Sequence, residues 1–330
     1  MLEKIKSTFD KNNTFTKIVA MYLNEFPCLV TEDIMTEITG GNKELDDSGF
    51  CAFLSSAFIE DRKLEREMEK EYFTHSVKKL DPMVYENDPY YKNIKIPNKK
   101  IKNWTLGQQK YAPYEGFIWK DLTFFDGFKE VCNIGYFDRE FSFPTVFENG
   151  VEWMAIKPNE IETMKEPIER AHGKIAVFGL GLGYYAYMAS LKENVSSVTV
   201  IERDENVIKL FCENILPHFE NKEKIKLVKG DAFFYAENEM KEQNFDFAFV
   251  DLWRDISDGV ELYIKMKKLE DLHEKTEFAY WIERSILISI RRSIFYAILK
   301  SIEQGKNTLS EKEIIARLDL EYLKEFSKYL

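Results

Sequence analysis

The chain has 330 residues, 45% of them hydrophobic, so it exceeds one average domain and can bury a sizeable core. Its net charge of −11 argues against a general nucleic-acid-binding protein, because phosphate contacts need a basic surface. We find no N-terminal signal and no uninterrupted apolar stretch of about 18 residues, which predicts a cytoplasmic protein outside the membrane.

Residues 1–95 are predicted to form a helical N-terminal domain. Apolar residues follow helical spacing over 15–23, and the Gly40-Gly41 pair breaks the pattern. Proline-containing runs at 88–91 and 96–98 indicate a linker. The domain could be a lid, a substrate-binding cap or the interface of a homodimer, and its pattern does not select among these.

Residues 96–165 are predicted to form a small β-rich connector. Aromatic-rich, glycine-broken runs such as 116–119 and 141–144 are typical of short strands and hairpins. A helix is expected to begin near residue 158, with Asn159 as its N-cap. The third predicted domain is 166–330, a ligand-binding α/β domain with a helical C-terminal extension.

The most informative stretch runs from 174 to 202. An apolar run at 175–178 leads into the sequence GLGLG, and a second apolar run at 198–201 ends on Glu202. This order predicts a strand, a glycine turn, a helix, a strand and an acid, as in nucleotide-binding βαβ units. Glycines let the backbone approach a ligand closely, and the acid can accept both hydroxyls of a ribose.

The spacing of this unit also bears on which nucleotide is bound. A dinucleotide fingerprint has a small residue where Tyr184 stands, and a P-loop has a lysine that is missing here. The remaining common ligand is S-adenosylmethionine (SAM), which carries no phosphate. Further strands at 224–228 and 245–250 lead to Asp231 and Asp251, so we predict a mainly parallel sheet with ligand-binding residues at the strand ends.

The order GLGLG, VIERD, VKGDA and FDFAFVD resembles class I SAM-dependent methyltransferases, and 174–251 looks most like their spermidine synthase branch. The resemblance covers roughly residues 151–290. It implies a Rossmann-like fold with SAM as cofactor, the loop glycines at its methionine and ribose end, Glu202 on the ribose and Asp231 on the adenine. The predicted cofactor-binding residues are Gly179, Gly181, Gly183, Tyr184, Glu202, Arg203, Asp231, Ala232 and Asp251.

A cluster of acids directly after the fourth strand is the candidate reaction site. Asp251 and Asp255 are the predicted catalytic residues, since a carboxylate here can take a proton from an attacking nucleophile. Trp253 and Asp258 are predicted to contact a flat or cationic small-molecule substrate, an amine being one candidate. The structural alternatives are helix capping by Asp255 and Asp258 and core packing by the tryptophan.

Three functions follow from this site. The first is a SAM-dependent methyltransferase acting on a small molecule. The second is aminopropyl transfer from decarboxylated SAM to a polyamine. Two differences from spermidine synthases argue against it: those enzymes carry a D-S-S-D type run where this chain has D-L-W-R-D, and they have an upstream Tyr-Asp pair that has no counterpart here. The third is a non-catalytic nucleotide-binding module.

The D-L-W-R-D run is also similar to the magnesium-binding D-x-W-K-D run of catechol O-methyltransferase. That family completes its magnesium site with an Asp-Asn pair after the fifth strand, where this chain has the single acid Glu283, so no metal is predicted.

The C-terminal region departs from the family pattern. After a fifth strand expected at 278–282, helical patterns cover 285–302 and 310–329, and the antiparallel sixth and seventh strands usual in class I enzymes are not evident. The four cysteines lack C-x-x-C spacing and are predicted to be buried free thiols.

Overall fold

The computed structural model describes residues 1–330 apart from the side chain of Asp126. The chain forms two compact units, each assembled from three stretches of sequence. The first unit comprises Met1–Glu86, Gln109–Phe143 and Lys157–Glu162, and the second comprises Asn87–Gln108, Pro144–Ile156 and Thr163–Leu330. The division into domains at 95 and 165 stays a prediction.

The N-terminal stretch is mainly helical. Its elements are α1 (Leu2–Glu25), α2 (Glu32–Thr39), α3 (Asp46–Phe58), α4 (Arg62–Met68), a π-helical turn (Glu69–Phe73), α5 (Thr74–Ser76), β1 (Val77–Lys79), α6 (Pro82–Glu86) and α7 (Pro89–Asn93). Helix α7 falls where a linker was predicted. It forms because the Tyr90 N–H donates to the Asp88 side chain and Pro89 occupies the first helical position.

Strands dominate the segment predicted to be β-rich. They are β2 (Lys99–Ile101), β3 (Trp104–Tyr111), β4 (Phe117–Phe125), β5 (Lys129–Tyr136), β6 (Phe141–Glu148) and β7 (Val151–Ala155). They form two sheets, of order β1-β5-β4 and β2-β3-β6-β7. Helix α8 (Pro158–Arg170) begins at Pro158, so the prediction that Asn159 caps it is wrong; the fixed φ of proline suits the first helical position, which places Asn159 inside the helix.

Aromatic rings fill the core of the first unit. Phe50 stacks on Tyr136 with ring centroids 4.4 Å apart, and Phe15 contacts Tyr72 at 5.0 Å and Phe73 at 5.1 Å. All five side chains are fully buried. Burial of such rings contributes roughly 1.5–3 kcal/mol each, so this cluster supplies a substantial part of the unit's hydrophobic stabilisation.

The centre of the second unit is a parallel sheet. Its strands are β8 (Gly173–Phe178), β9 (Val195–Glu202), β10 (Ile225–Lys229), β11 (Phe247–Val250) and β12 (Glu277–Tyr280), connected by α9 (Tyr184–Ser190), α10 (Glu205–Asn214), α11 (Ala232–Asn238) and α12 (Ile256–Glu270). The strand order is β10-β9-β8-β11-β12, with every pair of neighbours parallel. Residues 175–178 of β8 and all of β11 are buried, on both faces of the sheet, which explains their unbroken apolar sequences. The sheet is therefore of the predicted Rossmann-like kind.

The C-terminal part is helical, as predicted. Helices α13 (Glu283–Glu303), α14 (Glu311–Arg317) and α15 (Leu320–Phe326) follow the sheet, and α13 packs against α12 and α15. Strand β12 ends at Tyr280 instead of residue 282, because Ile282 takes φ +47° at the start of α13 and turns the chain out of the sheet. Within the described residues the parallel sheet has no strand after β12, and no helix is both long and apolar enough to cross a membrane.

The four cysteines are free thiols, as predicted, but their burial differs from the prediction. Cys51 is buried, whereas Cys28 and Cys212 are exposed. Cys212 follows the buried Phe211 on α10, and one helical step of about 100° carries it away from the apolar face.

Candidate functional site

The parallel strands bring the predicted site segments to one edge of the sheet. The glycine loop 179–183 follows β8, Arg203 follows β9, Gly230 follows β10 and Asp251 follows β11. Ligands of open α/β sheets bind at this edge, in the crevice where the strand order reverses. Here that crevice lies between the loops after β8 and β11.

Gly179 lets the loops after β8 and β11 approach each other. The Gly179 N–H donates to the Ile201 carbonyl at 3.0 Å, and the Asp251 N–H donates to the Phe178 carbonyl at 2.9 Å. Gly179 has φ +101°, and a Cβ there would overlap the Asp251 carbonyl oxygen. A residue with a side chain therefore cannot take this position without displacing one of the loops.

Gly183 allows a second close approach, between α9 and α10. It precedes α9 with φ +75°, and a Cβ there would overlap the Phe211 ring. The dinucleotide fingerprint has its small packing residue one position later, where Tyr184 stands; this chain meets the same need at Gly183. Between the two, Gly181 lies beside the Met154 side chain, a neighbour that the sequence analysis did not identify.

Glu202 is buried at the end of β9 and connects that strand to the glycine loop. Its Oε2 accepts a hydrogen bond from the Leu180 N–H at 3.3 Å, and its Oε1 accepts one from the Asp204 N–H at 2.8 Å. Burial raises the pKa of the carboxyl, while these backbone bonds oppose the shift. Each oxygen keeps a second lone pair, so the carboxylate can also accept hydroxyl donors.

Asp204 and Trp104 are neighbours of this acid that the sequence analysis missed. Asp204 caps α10 by accepting from the Asn206 N–H at 2.7 Å, and the Trp104 indole N–H donates to its other oxygen at 3.3 Å. An Asp before an apolar helical run signals an N-cap, but nothing local indicates a partner 100 residues upstream. The predicted cofactor contact Arg203 has an exposed side chain.

Asp231 stands at the end of β10, as predicted for an adenine contact. Its Oδ1 accepts from the Phe234 N–H at 2.9 Å and so caps α11, while Oδ2 has no hydrogen-bond partner among the described residues. The neighbouring Ala232 is buried. A Cβ added at Gly230, the preceding residue, would meet nothing within 4 Å, so there is open space at Gly230.

Among the carboxyl groups of the predicted site, that of Asp251 has the largest pKa shift. Asp251 follows β11, and its carboxyl is buried although the residue as a whole is partly exposed. Burial raises the pKa of its carboxyl to about 7. A carboxyl that titrates near neutral pH can both accept and return a proton under working conditions.

Trp253 is more buried than a substrate contact requires. It is 5% exposed and packs against Gly259 of α12, which is the structural alternative stated for it. Its indole N–H is nevertheless buried without a hydrogen-bond partner among the described residues. Its prediction as a substrate contact therefore stays open.

Tyr184 is 2% exposed, and its hydroxyl donates to Asp88 Oδ2 at 2.9 Å. The buried Tyr90 hydroxyl donates to the Leu182 carbonyl at 2.6 Å, inside the glycine loop. Asp88 and Tyr90 lie where the sequence suggested a linker. The Asp-Pro pair that begins α7 was the available local signal, but it does not indicate what the helix contacts.

Asp255 and Asp258 form a capping box at the start of α12. Asp255 Oδ1 accepts from the Ser257 N–H at 2.7 Å, and Asp258 Oδ1 accepts from the Asp255 N–H at 3.1 Å. Hydrogen bonds from Ser257 lower the pKa of Asp255. Both side chains thus have a structural role, whether or not they also contact substrate.

The two roles of Asp255 are separable by substitution. We expect Asp255→Ala to lower the free energy of unfolding by about 1 kcal/mol, because the cap is lost, and Asp255→Ser to restore most of it. Stability is measured by urea unfolding and turnover by product formation. If Asp255 is only a cap, the serine variant keeps turnover; a stable serine variant without turnover would show a catalytic carboxylate.

Glu283, the acid considered for magnesium together with Asp251, is already engaged. Its Oε1 accepts from the Tyr263 hydroxyl at 2.9 Å, and its Oε2 lies 3.0 Å from the Lys324 ammonium. A cation at Glu283 would have to compete with Lys324.

The chain matches no protein-family model and no curated protein. Among solved structures it is similar to a spermidine synthase from Thermotoga maritima, with 14% sequence identity and a TM-score of 0.31. The match covers 43% of this chain and 55% of that one, so it spans about half of the solved protein. The Rossmann-like assignment rests on the strand order and the loop geometry described above.

Proposed function

We propose that this protein is a SAM-dependent transferase that methylates a small molecule. The observation that carries the proposal is the hydrogen bond from the Leu180 N–H to the Glu202 carboxylate. It joins the glycine turn after β8 to the acid that ends β9, at the edge of the sheet where nucleosides bind. The ligand class follows from the residues around this bond.

The residues fit the parts of SAM. Glu202 keeps lone pairs for ribose hydroxyls, and Asp231 Oδ2 is available to an adenine amino group beside the open space at Gly230. The glycine loop lacks the lysine of a triphosphate site. An adenosine with a phosphate-free substituent is therefore the ligand that the site favours.

SAM supplies an activated methyl group when it is bound. The protein has to align the acceptor and exclude water. Asp251 stands beside Gly179 with a pKa of about 7, so a substantial fraction is ionised at neutral pH and can take a proton from an acceptor hydroxyl or amine.

Aminopropyl transfer has less support from the same residues. A polyamine needs carboxylates that are free to bind it, whereas Asp255 and Asp258 already accept backbone N–H groups in the capping box at the start of α12. Burial also keeps Asp251 mostly protonated below its pKa of about 7. A non-catalytic module would leave the perturbed Asp251 without a use.

Calorimetric titration with SAM, S-adenosylhomocysteine and decarboxylated SAM tests the proposal. Binding of the first two in preference to the third supports a methyltransferase. Preference for decarboxylated SAM supports aminopropyl transfer instead. If the wild-type protein binds none of the three, the cofactor assignment is wrong.

Glu202→Gln is expected to weaken SAM binding tenfold or more, in the range of roughly 1–3 kcal/mol for a hydrogen bond to a buried charged group. Glutamine can keep the bond from the Leu180 N–H through its one oxygen, but its NH2 group then faces the Asp204 N–H, so urea unfolding of the variant is measured beside binding. The control is Glu205→Gln at the start of α10, which removes an exposed acid paired with Lys229 at the end of β10. Equal losses of SAM affinity in both variants would indicate a general charge effect and would contradict the proposed contact of Glu202 with the ribose.

A further inference from the structure

We propose that Asp88 binds the α-ammonium group of the amino-acid tail of SAM, an inference that rests on the proposed function. The tail is a zwitterion, and its ammonium group requires an anionic or strongly polar acceptor when it leaves water. In the proposed function the ribose is at Glu202 and the glycine loop lies next to it, so the acceptor has to lie beside this loop.

Hydrogen bonds hold Asp88 beside the second half of that loop. Its Oδ2 accepts from the Tyr184 hydroxyl at 2.9 Å, and its Oδ1 accepts from the Tyr90 N–H at 2.8 Å. Tyr90 in turn donates its own hydroxyl to the Leu182 carbonyl at 2.6 Å. The carboxylate is therefore positioned relative to both residues that flank Gly183.

The charge of Asp88 is not neutralised by these donors. These donors are a hydroxyl and backbone N–H groups, which are uncharged, and the nearby charge of Lys165 lowers the pKa of the carboxyl. Burial raises the pKa of Asp88, although the side chain remains partly exposed and so can be reached by a ligand. A cation at Asp88 would recover part of the cost of burying its charge.

The other carboxylates at the loop are less suited to an ammonium group. Val177 occupies the position before Phe178, so no acid ends β8. Glu202 is committed to the Leu180 and Asp204 N–H groups and to the ribose. The geometry leaves Asp88 as the anionic group beside Tyr184.

The test compares ligands with and without the tail. Wild-type protein and Asp88→Asn are titrated calorimetrically with S-adenosylhomocysteine and with 5′-methylthioadenosine, which lacks the amino-acid group. We expect the variant to lose about tenfold or more in affinity for the first ligand and less than about twofold for the second. Decarboxylated SAM keeps the ammonium group, so it should lose as much as S-adenosylhomocysteine.

Two further variants serve as controls for this comparison. Asp88→Ser keeps an N-cap for α7 without a charge and should reproduce the loss if Asp88→Asn unfolds. Glu193→Gln removes an exposed acid after α9 and should change neither ligand. Equal losses of affinity for both ligands, or no loss for either, would overturn the role of Asp88 and leave the proposed function standing. Failure of the wild-type protein to bind any of these ligands would overturn the proposed function and this inference together.

Discussion

Replacing Gly179 with alanine is expected to lower the free energy of unfolding by about 3 kcal/mol or more and to abolish SAM binding. Two costs combine, each of order 1–3 kcal/mol: an L-residue is strained at φ +101°, and its Cβ would overlap the Asp251 carbonyl oxygen. Relief requires the loops after β8 and β11 to separate, which also displaces the Leu180 N–H from Glu202. Urea unfolding and calorimetry measure the two effects.

Gly230→Ala is the matched control. This glycine also follows a strand of the same sheet, but its φ is not positive and a Cβ would meet no atom within 4 Å. The free energy of unfolding of the Gly230→Ala variant should differ from that of the wild type by less than about 0.5 kcal/mol. If Gly179→Ala were as stable as Gly230→Ala, the close packing of the two loops would not be a feature of the folded protein.

Replacing Asp251 with asparagine is expected to stabilise the protein, and to do so more at high pH. Its folded-state pKa of about 7 lies above the ordinary value of 3.8, so between these values the folded state binds a proton that the unfolded chain has released. Wild-type stability therefore falls as pH rises through this window, while asparagine does not titrate. The stability difference should grow by about 1–2 kcal/mol between about pH 5.5 and about pH 8.

Activity gives the second readout of the same variant. If Asp251 takes the acceptor's proton, wild-type turnover rises with pH through about 7, as the carboxyl ionises, and Asp251→Asn loses turnover while still binding SAM. Glu242→Gln, at an exposed acid, should leave both pH curves unchanged. A parallel pH dependence of stability in wild type and Asp251→Asn would refute the raised pKa.

Local patterns predicted much of the second unit. The apolar runs within β8, β9 and β11 were identified because strands that are mostly buried carry few polar residues, whereas the edge strand β10 has no buried residue and keeps two lysines. The glycine turn was recognisable because positions with positive φ select glycine. Helix starts were harder, as Pro158 shows: a proline and an asparagine both suit a helix N-terminus, and only the observed first turn decides between them.

Contacts between distant residues were not predictable in the same way. Asp88 reaches Tyr184 and Trp104 reaches Asp204 across about a hundred residues of sequence, and no pattern at either end encodes the distance. The roles of the two capping-box residues were also not predictable from local sequence. The sequence made Asp255 and Asp258 candidates for both capping and chemistry, because Asp suits each role.

By itself, the sequence determined the order of strands, glycine turn and acids along the chain, and with it the edge of the sheet where these segments meet, because these depend on the conformational preferences of neighbouring residues. The tertiary structure decided which loops touch, that α7 holds the glycine loop, and that Asp251 titrates near pH 7. Those properties depend on burial and on charges brought together by the fold, and burial is set by the whole chain rather than by a residue and its neighbours.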